Sequence, residues 1–135
     1  MESIFQNPEL DHIGIIVKNI NEARDKFSKL FGPPFHSENL PEQKIILDKY
    51  KLNNSTIEVF QPYPDNEHLQ KFLSRYGQGI HHICIGNITD SQIDKLRESN
   101  YKLVYSDWHT GAQNSRINFV HPSYLCKVLL ELKKK

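Results

Sequence analysis

Residues 10–17 read LDHIGIIV and residues 79–85 read GIHHICI, and these two stretches decide the fold. Each contains the pattern His-Ile-x-Ile in an apolar run, which predicts a buried strand. Each leads into an Asn-Ile pair and then into a helical pattern of apolar residues. The two histidines, His12 and His82, are 82 − 12 = 70 positions apart, about half of the chain. The sequence therefore indicates one supersecondary unit present twice.

Working outward from these strands gives the same order of elements in both halves. The first half reads as a strand over 10–18, a helix capped by Asn19 or Asn21 and ended by Gly32, and three strands up to residue 61. The second half reads as a strand over 80–86, a helix capped by Thr89 or Asp90, and strands over 101–105, 116–121 and 125–132. We therefore expect a single domain, 1–135, of two βαβββ modules, about 10–61 and 80–132. The linker, 62–79, carries a short helix over 68–76.

Composition restricts the class of protein. A chain of 135 residues with 38% hydrophobic and 24% charged residues is typical of one globular domain. A formal net charge of +1 gives no reason to expect nucleic acid or an acidic membrane surface as a partner. We expect no membrane span or signal peptide, and hence a cytoplasmic protein. Cys84 and Cys126 lie in apolar runs, which predicts buried free thiols in a reducing compartment.

The repeat also puts candidate metal ligands at equivalent positions in the two halves. Each half opens with a histidine on its first strand and has a glutamate on its last strand, giving the pairs His12 with Glu58 and His82 with Glu131. Two imidazoles and two carboxylates could bind one divalent ion and leave two coordination positions open. Such a set suits Zn²⁺, Co²⁺, Ni²⁺ or Mn²⁺ better than Ca²⁺. The alternatives are a structural histidine in each strand and a glutamate on the solvent face of a half-exposed strand.

Open positions on such an ion indicate Lewis-acid chemistry. A metal can hold a carbonyl oxygen and stabilise the enolate that forms when the adjacent carbon loses its proton. Glu131 and Glu58 are the nearest candidate bases. Arg116 is a candidate for pairing with a substrate carboxylate, because a guanidinium binds a carboxylate bidentately. The alternative for Arg116 is an ordinary surface charge.

A family resemblance rests on segments spread over roughly residues 10–132. They are LDHIGIIVKNI (10–20), IEVFQP (57–62), FLSRYGQGIHHICI (72–85), RINFVHP (116–122) and VLLEL (128–132). Together they resemble the vicinal oxygen chelate (glyoxalase/bleomycin resistance) superfamily. Within it they most resemble the methylmalonyl-CoA epimerases, since glyoxalase I usually has an Asp-Pro-Asp-Gly-like turn before its last strand.

This resemblance implies an α+β fold in which the two modules form an eight-stranded, partly open barrel-like sheet around a metal site. It implies His12, Glu58, His82 and Glu131 as ligands, with His82 preferred over its neighbour because it aligns with His12. Strand alternation supports a single ligand from the two adjacent histidines, 81 and 82. The implied reaction is epimerisation at C2 of a methylmalonyl thioester through a metal-stabilised enolate.

The chain departs from the epimerase pattern in the loop 108–115, in residues 123–127, and at Leu47, where some epimerases carry a second acid/base carboxylate. The enzymatic alternative is therefore a glyoxalase I-like lactoylglutathione lyase, which would convert a glutathione hemithioacetal into a glutathione thioester and would not act on an acyl-CoA. The alternative of another class is a non-catalytic small-molecule binding protein of the same superfamily. Relatives build the site within one chain or across a dimer, so a homodimer is left open.

Overall fold

The structure is a computed structural model that describes residues 2–135. These residues divide into two compact units. The first unit comprises residues 12–81, and the second comprises residues 82–135 together with the N-terminal arm through Asp11. The elements, in chain order, are β1 (Glu9–Ile16), α1 (Ile20–Phe31), β2 (His36–Leu40), β3 (Ile45–Lys51), β4 (Thr56–Pro62), α2 (Glu67–Tyr76), β5 (Gly79–Ile88), α3 (Asp90–Glu98), β6 (His109–Thr110), β7 (Arg116–Val120) and β8 (Leu130–Lys134).

In the first unit the strands are ordered β2-β3-β4-β1, antiparallel except for the parallel pair β1 and β4. Helix α1 begins where the Asn19 side chain accepts a hydrogen bond of 3.0 Å from the Glu22 N–H, so Asn19 and not Asn21 is the cap. The helix ends at Gly32, whose φ of 79° favours glycine. The linker helix predicted over 68–76 is confirmed as α2.

Helix α1 covers one face of this sheet, and its position defines which strand residues point to either side. The core beneath α1 consists of Val17, Ile20, Ala23, Tyr50 and Val59. Since side chains alternate along a strand, their neighbours must point to the opposite face. That opposite face, which we call the inner face, includes His12 on β1, Leu47 and Lys49 on β3, and Glu58 on β4.

The second unit repeats this order. Its strands are arranged β5-β8-β7-β6, with β5 and β8 parallel and the other pairs antiparallel. Helix α3 begins with a capping box, in which the side chains of Thr89 and Gln92 each bond to the other's backbone N–H. The core of this unit consists of Ile88, Ile93, Leu96, Leu103, Val120 and Leu132.

The prediction of a strand over 101–105 is wrong. Only an isolated bridge between Leu103 and Val120 forms there, and the two-residue strand β6 lies inside the segment predicted to be a polar loop. The cause is Asn118, whose side-chain amide accepts from the Tyr105 N–H and donates to the Tyr105 carbonyl, both at 3.1 Å. A side chain thus takes the place of backbone pairing at this point.

The last strand begins later than predicted. The segment expected to be extended from residue 125 contains Cys126 and Lys127 with φ values of 53° and 68°, and β8 starts only at Leu130. A turn in which the Lys127 N–H donates to the Pro122 carbonyl at 2.8 Å replaces the first half of the predicted strand. Cys126 is exposed, which contradicts the predicted burial, whereas Cys84 is buried as expected.

The predicted α+β class and the two βαβββ modules are confirmed, with eight strands among residues 2–135. The linker helix α2 belongs to the first unit. Among the described residues there is no helix that combines the length and the apolar character needed to cross a bilayer. That the whole chain behaves as one domain stays a prediction.

Candidate metal centre

In the first unit, parallel pairing of β1 and β4 brings His12 and Glu58 together. The register pairs Glu58 with Gly14, the residue two positions after His12 and therefore on the same face. The His12 Nε2 lies 3.4 Å from the Glu58 Oε2, and the two side chains are only 7% and 9% exposed. The predicted glutamate is thus on the inner face and not on a solvent face.

In the second unit, β5 and β8 reproduce this geometry. The register pairs Glu131 with Cys84, which is again the residue two positions after the histidine. The His82 Nε2 lies 3.0 Å from the Glu131 Oε1, and both side chains are 8% exposed. The predicted equivalence of the two pairs therefore extends to strand order, register and burial.

The neighbouring histidine, His81, has different surroundings. Its ring makes edge contacts with Phe60 and Phe72, with centroids 5.4 and 4.7 Å apart. The ring of His82 instead makes an edge contact with Phe119 at 6.1 Å. His82 therefore lies with Glu131, and His81 belongs to an aromatic cluster of the first unit.

The chemistry of these pairs fits a metal. Burying a carboxylate is costly unless it is paired or coordinates an ion. Each pair presents an imidazole nitrogen and a carboxylate oxygen from buried side chains, which is the mixed donor set that Zn²⁺, Co²⁺, Ni²⁺ and Mn²⁺ accept. Each unit therefore has a His–Glu group that could hold part of a metal's coordination shell.

Tyr105 was not predicted as a site residue, because its position depends on the bonds between the Asn118 side chain and the Tyr105 backbone. Burial raises the pKa of Tyr105, and the negative charge of Glu131 raises it further. Its ring stacks on His109 with centroids 3.6 Å apart and makes an edge contact with Phe119. The phenol of Tyr105 therefore lies close enough to Glu131 for the charge of that carboxylate to raise its pKa.

Arg116, the predicted carboxylate-binding residue, lies exposed at the start of β7. Its guanidinium donates to the Trp108 carbonyl at 3.1 Å and to the Thr110 hydroxyl at 3.3 Å. These bonds attach Arg116 to the loop before β7.

Two buried charged residues on β3 were also missed. Asp48 has no exposed surface and accepts two hydrogen bonds from Arg24, at 2.8 and 2.9 Å, and one from Ser37 at 2.6 Å. Lys49, the next residue, is 7% exposed. The sequence signal was a pair of opposite charges inside the otherwise apolar run 45–50, which predicts that one of them points to each face of the sheet.

Comparison with known proteins identifies the family. The model of the glyoxalase/bleomycin resistance protein/dioxygenase superfamily matches residues 11–119. The chain belongs to this superfamily. The match includes β1, β4 and β5, which carry His12, Glu58 and His82, and it ends before β8 and Glu131.

Individual members of the superfamily align with nearly the whole chain. The Bacillus subtilis protein YqjC is 32% identical over 125 residues, which are 91% of this chain and 89% of that protein. The mitochondrial methylmalonyl-CoA epimerase of Dictyostelium discoideum is 28% identical over 131 residues, covering 94% of this chain and 78% of the relative.

One related structure was solved with a bound ligand. A variant of Streptomyces coelicolor methylmalonyl-CoA epimerase, in complex with 2-nitronate-propionyl-CoA, superposes with a TM-score of 0.88. The sequences are 27% identical, and the match covers 94% of this chain and 96% of that one. The expected resemblance to methylmalonyl-CoA epimerases within the superfamily is thereby confirmed.

Proposed function

We propose that this superfamily member is an isomerase that inverts the configuration at C2 of a methylmalonyl-CoA-type thioester. The observation that carries the proposal is the pair of equivalent, buried His–Glu groups, His12 with Glu58 and His82 with Glu131. It is supported by relatives named as methylmalonyl-CoA epimerases and by a related epimerase structure with an acyl-CoA analogue.

The four residues of the two pairs are proposed to bind one divalent cation, of the group Co²⁺, Zn²⁺, Ni²⁺ and Mn²⁺. Their nitrogen and oxygen donors suit these ions, and neither cysteine is part of the set. When bound, the ion supplies a Lewis acid that stabilises negative charge on the thioester oxygen. The protein's own contribution is to hold the donors rigidly on the first and last strands of each module.

Proton transfer is assigned to the carboxylates of Glu131 and Glu58. In the forward step the C2–H bond breaks, an O–H bond forms on a carboxylate, and the electron pair delocalises into the thioester as an enolate. The other glutamate, which starts in its protonated form, then gives a proton to the opposite face of C2 as its O–H bond breaks, and the centre is inverted. The two glutamates end with their protonation states exchanged, and proton exchange with solvent restores the starting state.

Arg116 is proposed to pair with the substrate carboxylate, as its planar guanidinium allows. In doing so it would have to give up the bonds to the Trp108 carbonyl and the Thr110 hydroxyl. Replacing Arg116 by Gln would then raise KM for methylmalonyl-CoA more than it lowers kcat.

The decisive test is exchange of the C2 proton of methylmalonyl-CoA with deuterium, measured with Co²⁺, Ni²⁺ or Zn²⁺ supplied. We expect exchange with the wild-type protein and its loss, together with loss of bound metal, in His82→Ala. The matched control is His68→Ala, which removes an exposed imidazole on α2. Retention of metal by His82→Ala at wild-type affinity would overturn the proposed site.

Two further outcomes separate the alternatives. Turnover of methylglyoxal with glutathione, without exchange on methylmalonyl-CoA, would identify a lactoylglutathione lyase. Substoichiometric metal after reconstitution, with no turnover of either substrate, would identify a binding protein. Either result would replace the epimerase proposal.

A further inference from the structure

Tyr105 of the second unit lies beside Phe119, on the face of the sheet that carries His82 and Glu131. Val120 packs in the core with α3, so its neighbour Phe119 points to the opposite face. The register aligns Phe119 with Glu131, and the Phe119 ring makes an edge contact with His82. The Tyr105 ring contacts Phe119 in turn, with centroids 6.1 Å apart. Tyr105 is therefore separated from the candidate metal ligands of this unit by one aromatic ring.

Contacts to both the backbone and the ring hold Tyr105 in place. The preceding residue is attached to β7, because the Val104 N–H donates to the Phe119 carbonyl at 2.8 Å. The N–H and the carbonyl of Tyr105 both bond to the Asn118 side-chain amide at 3.1 Å. Its ring stacks on that of His109, with the planes 16° from parallel. The phenol hydroxyl therefore has a defined position in the second unit.

The fold does not use the hydroxyl of Tyr105. Among residues 2–135 this hydroxyl has no hydrogen-bond partner, and the contacts that hold Tyr105 are made by its ring and its backbone. Burial raises the pKa of Tyr105, and the charge of Glu131 raises it further, so the phenol keeps its proton at neutral pH. A protonated phenol is a hydrogen-bond donor. The second unit thus holds a donor beside Glu131 that is available to a ligand.

A donor close to a base is the arrangement that proton removal next to a carbonyl group requires. The base acts at C2, whereas the negative charge develops on the oxygen of the adjacent thioester carbon. The base and the donor must therefore lie near each other and must not be bonded to each other, so that the substrate can enter between them. Glu131 and Tyr105 fit both conditions, since the charge of the carboxylate reaches the phenol while the hydroxyl remains unbonded within residues 2–135.

We propose that Tyr105 is a catalytic residue whose hydroxyl donates a hydrogen bond to the thioester oxygen of the substrate as negative charge develops on that oxygen. This inference rests on the proposed epimerase function, in which Glu131 and Glu58 transfer the proton at C2. The hydroxyl adds a neutral donor to the Lewis acid that a bound metal supplies. The O–H bond of Tyr105 stays intact throughout, so the role requires no additional proton and no further reactant.

The test uses Tyr105→Phe, which removes the hydroxyl and keeps the ring that stacks on His109. In exchange of the C2 proton of methylmalonyl-CoA with Co²⁺ supplied, kcat should fall at least about 10-fold and KM should change less than about 3-fold. The reason is that a hydrogen bond to a charged oxygen is stronger than one to a neutral oxygen. The matched control is Tyr101→Phe, which removes the hydroxyl of a ring that packs against the core with α3, and both constants should stay within about 2-fold.

Binding of two acyl-CoA ligands gives a readout that does not depend on turnover. In 2-nitronate-propionyl-CoA the negative charge is delocalised from C2 onto oxygen, as in an enolate, whereas malonyl-CoA carries a carboxylate and is not ionised at C2. In calorimetric titrations of the Co²⁺-loaded protein, Tyr105→Phe should weaken binding of the nitronate at least about 10-fold and that of malonyl-CoA no more than about 3-fold. Equal weakening of both ligands, or an unchanged kcat, would overturn the proposal.

A merely structural role of the hydroxyl would change stability and metal binding. Because the hydroxyl has no partner within residues 2–135, Tyr105→Phe should bind Co²⁺ as tightly as wild type and unfold within about 2 °C of it at neutral pH. Loss of Co²⁺ affinity together with kcat would overturn the proposal. If the wild-type protein itself does not exchange the C2 proton, the epimerase function fails and this inference fails with it. If wild type and Tyr105→Phe exchange the proton at the same rate, only the inference fails.

Discussion

Replacing Asp48 by Asn should lower the stability of the first unit by an amount that can be derived from its contacts. Asp48 is fully buried and receives two hydrogen bonds from the Arg24 guanidinium and one from the Ser37 hydroxyl. Its charge raises the pKa of Arg24, mainly through the direct hydrogen bond. The variant keeps the size of the side chain but removes its charge and replaces one acceptor oxygen by an NH2 donor, so it weakens both the ionic and the hydrogen-bonded parts of these contacts.

The magnitude depends on how exposed the partner is. Breaking a buried ion pair by removing one partner costs about 3–5 kcal/mol. Since the Arg24 side chain is 37% exposed, it can regain water when Asp48 is neutral, and we expect about 2 kcal/mol. An unfolding entropy of about 2.1 cal/mol/K per residue converts this to a fall in Tm of about 7 °C for a chain of 135 residues.

Thermal unfolding followed by calorimetry or circular dichroism measures this change. A double-mutant cycle with Arg24→Met should give a coupling free energy above about 1 kcal/mol, because the two groups bond directly. Glu22→Gln is the matched control, since Glu22 and Lys26 form an exposed pair 3.8 Å apart that should contribute less than about 0.5 kcal/mol. A Tm for Asp48→Asn within about 1 °C of wild type, or zero coupling, would refute the reasoning.

The remaining predictions concern the second unit. Because the folded-state pKa of Tyr105 is raised by burial and by Glu131, its contribution to stability is complete below the unfolded-state pKa of about 10 and is lost as pH rises through the folded-state value. Urea unfolding of Tyr105→Phe should therefore show a smaller loss of stability above pH 10 than wild type, and an equal loss would contradict the shift. Thr89→Ala removes the hydroxyl that caps α3 through Gln92 and that also lies 3.2 Å from the Ser91 hydroxyl, and it should cost about 1 kcal/mol in the same assay.

Much of the candidate site could be predicted because the direction of the side chains repeats every two residues along a strand. The alternation in 10–17 and 80–86 fixes which residues share a face, and the repeat then supplies the equivalent residue in the other half. Glu58 and Glu131 were predictable from the same pattern. Each is a charged residue in the middle of an apolar run on the last strand of its module.

The errors occur where a side chain or a turn replaces regular pairing. The run 101–105 has a strand-like composition. However, the N–H and the carbonyl of Tyr105 both form hydrogen bonds with the side-chain amide of Asn118. The run 125–129 is apolar except for Lys127, yet positive φ values at Cys126 and Lys127 prevent an extended strand. Both outcomes depend on contacts with residues distant in sequence or on turn geometry, which local propensity does not contain.

The two charged residues of β3 show a different limit of prediction from the sequence. Asp48 and Lys49 are adjacent and both buried, whereas alternation alone would place at least one of a polar pair in water. The burial of Asp48 is explained by its bonds to Arg24 of α1, and Lys49 is aligned with Glu58 on the inner face. A sequence pattern predicts the face of the sheet to which a side chain points, but it does not predict which residues pack against that face.

The differences between the two copies are therefore as informative as their similarities. Both retain a histidine on the first strand and, on the parallel strand beside it, a glutamate in register with the residue two positions further on. The proposal that both pairs bind one ion rests on this equivalence. The residue opposite the glutamate is a lysine in one copy and a phenylalanine in the other. The two copies therefore agree at the proposed metal ligands and differ at the strand position aligned with each glutamate.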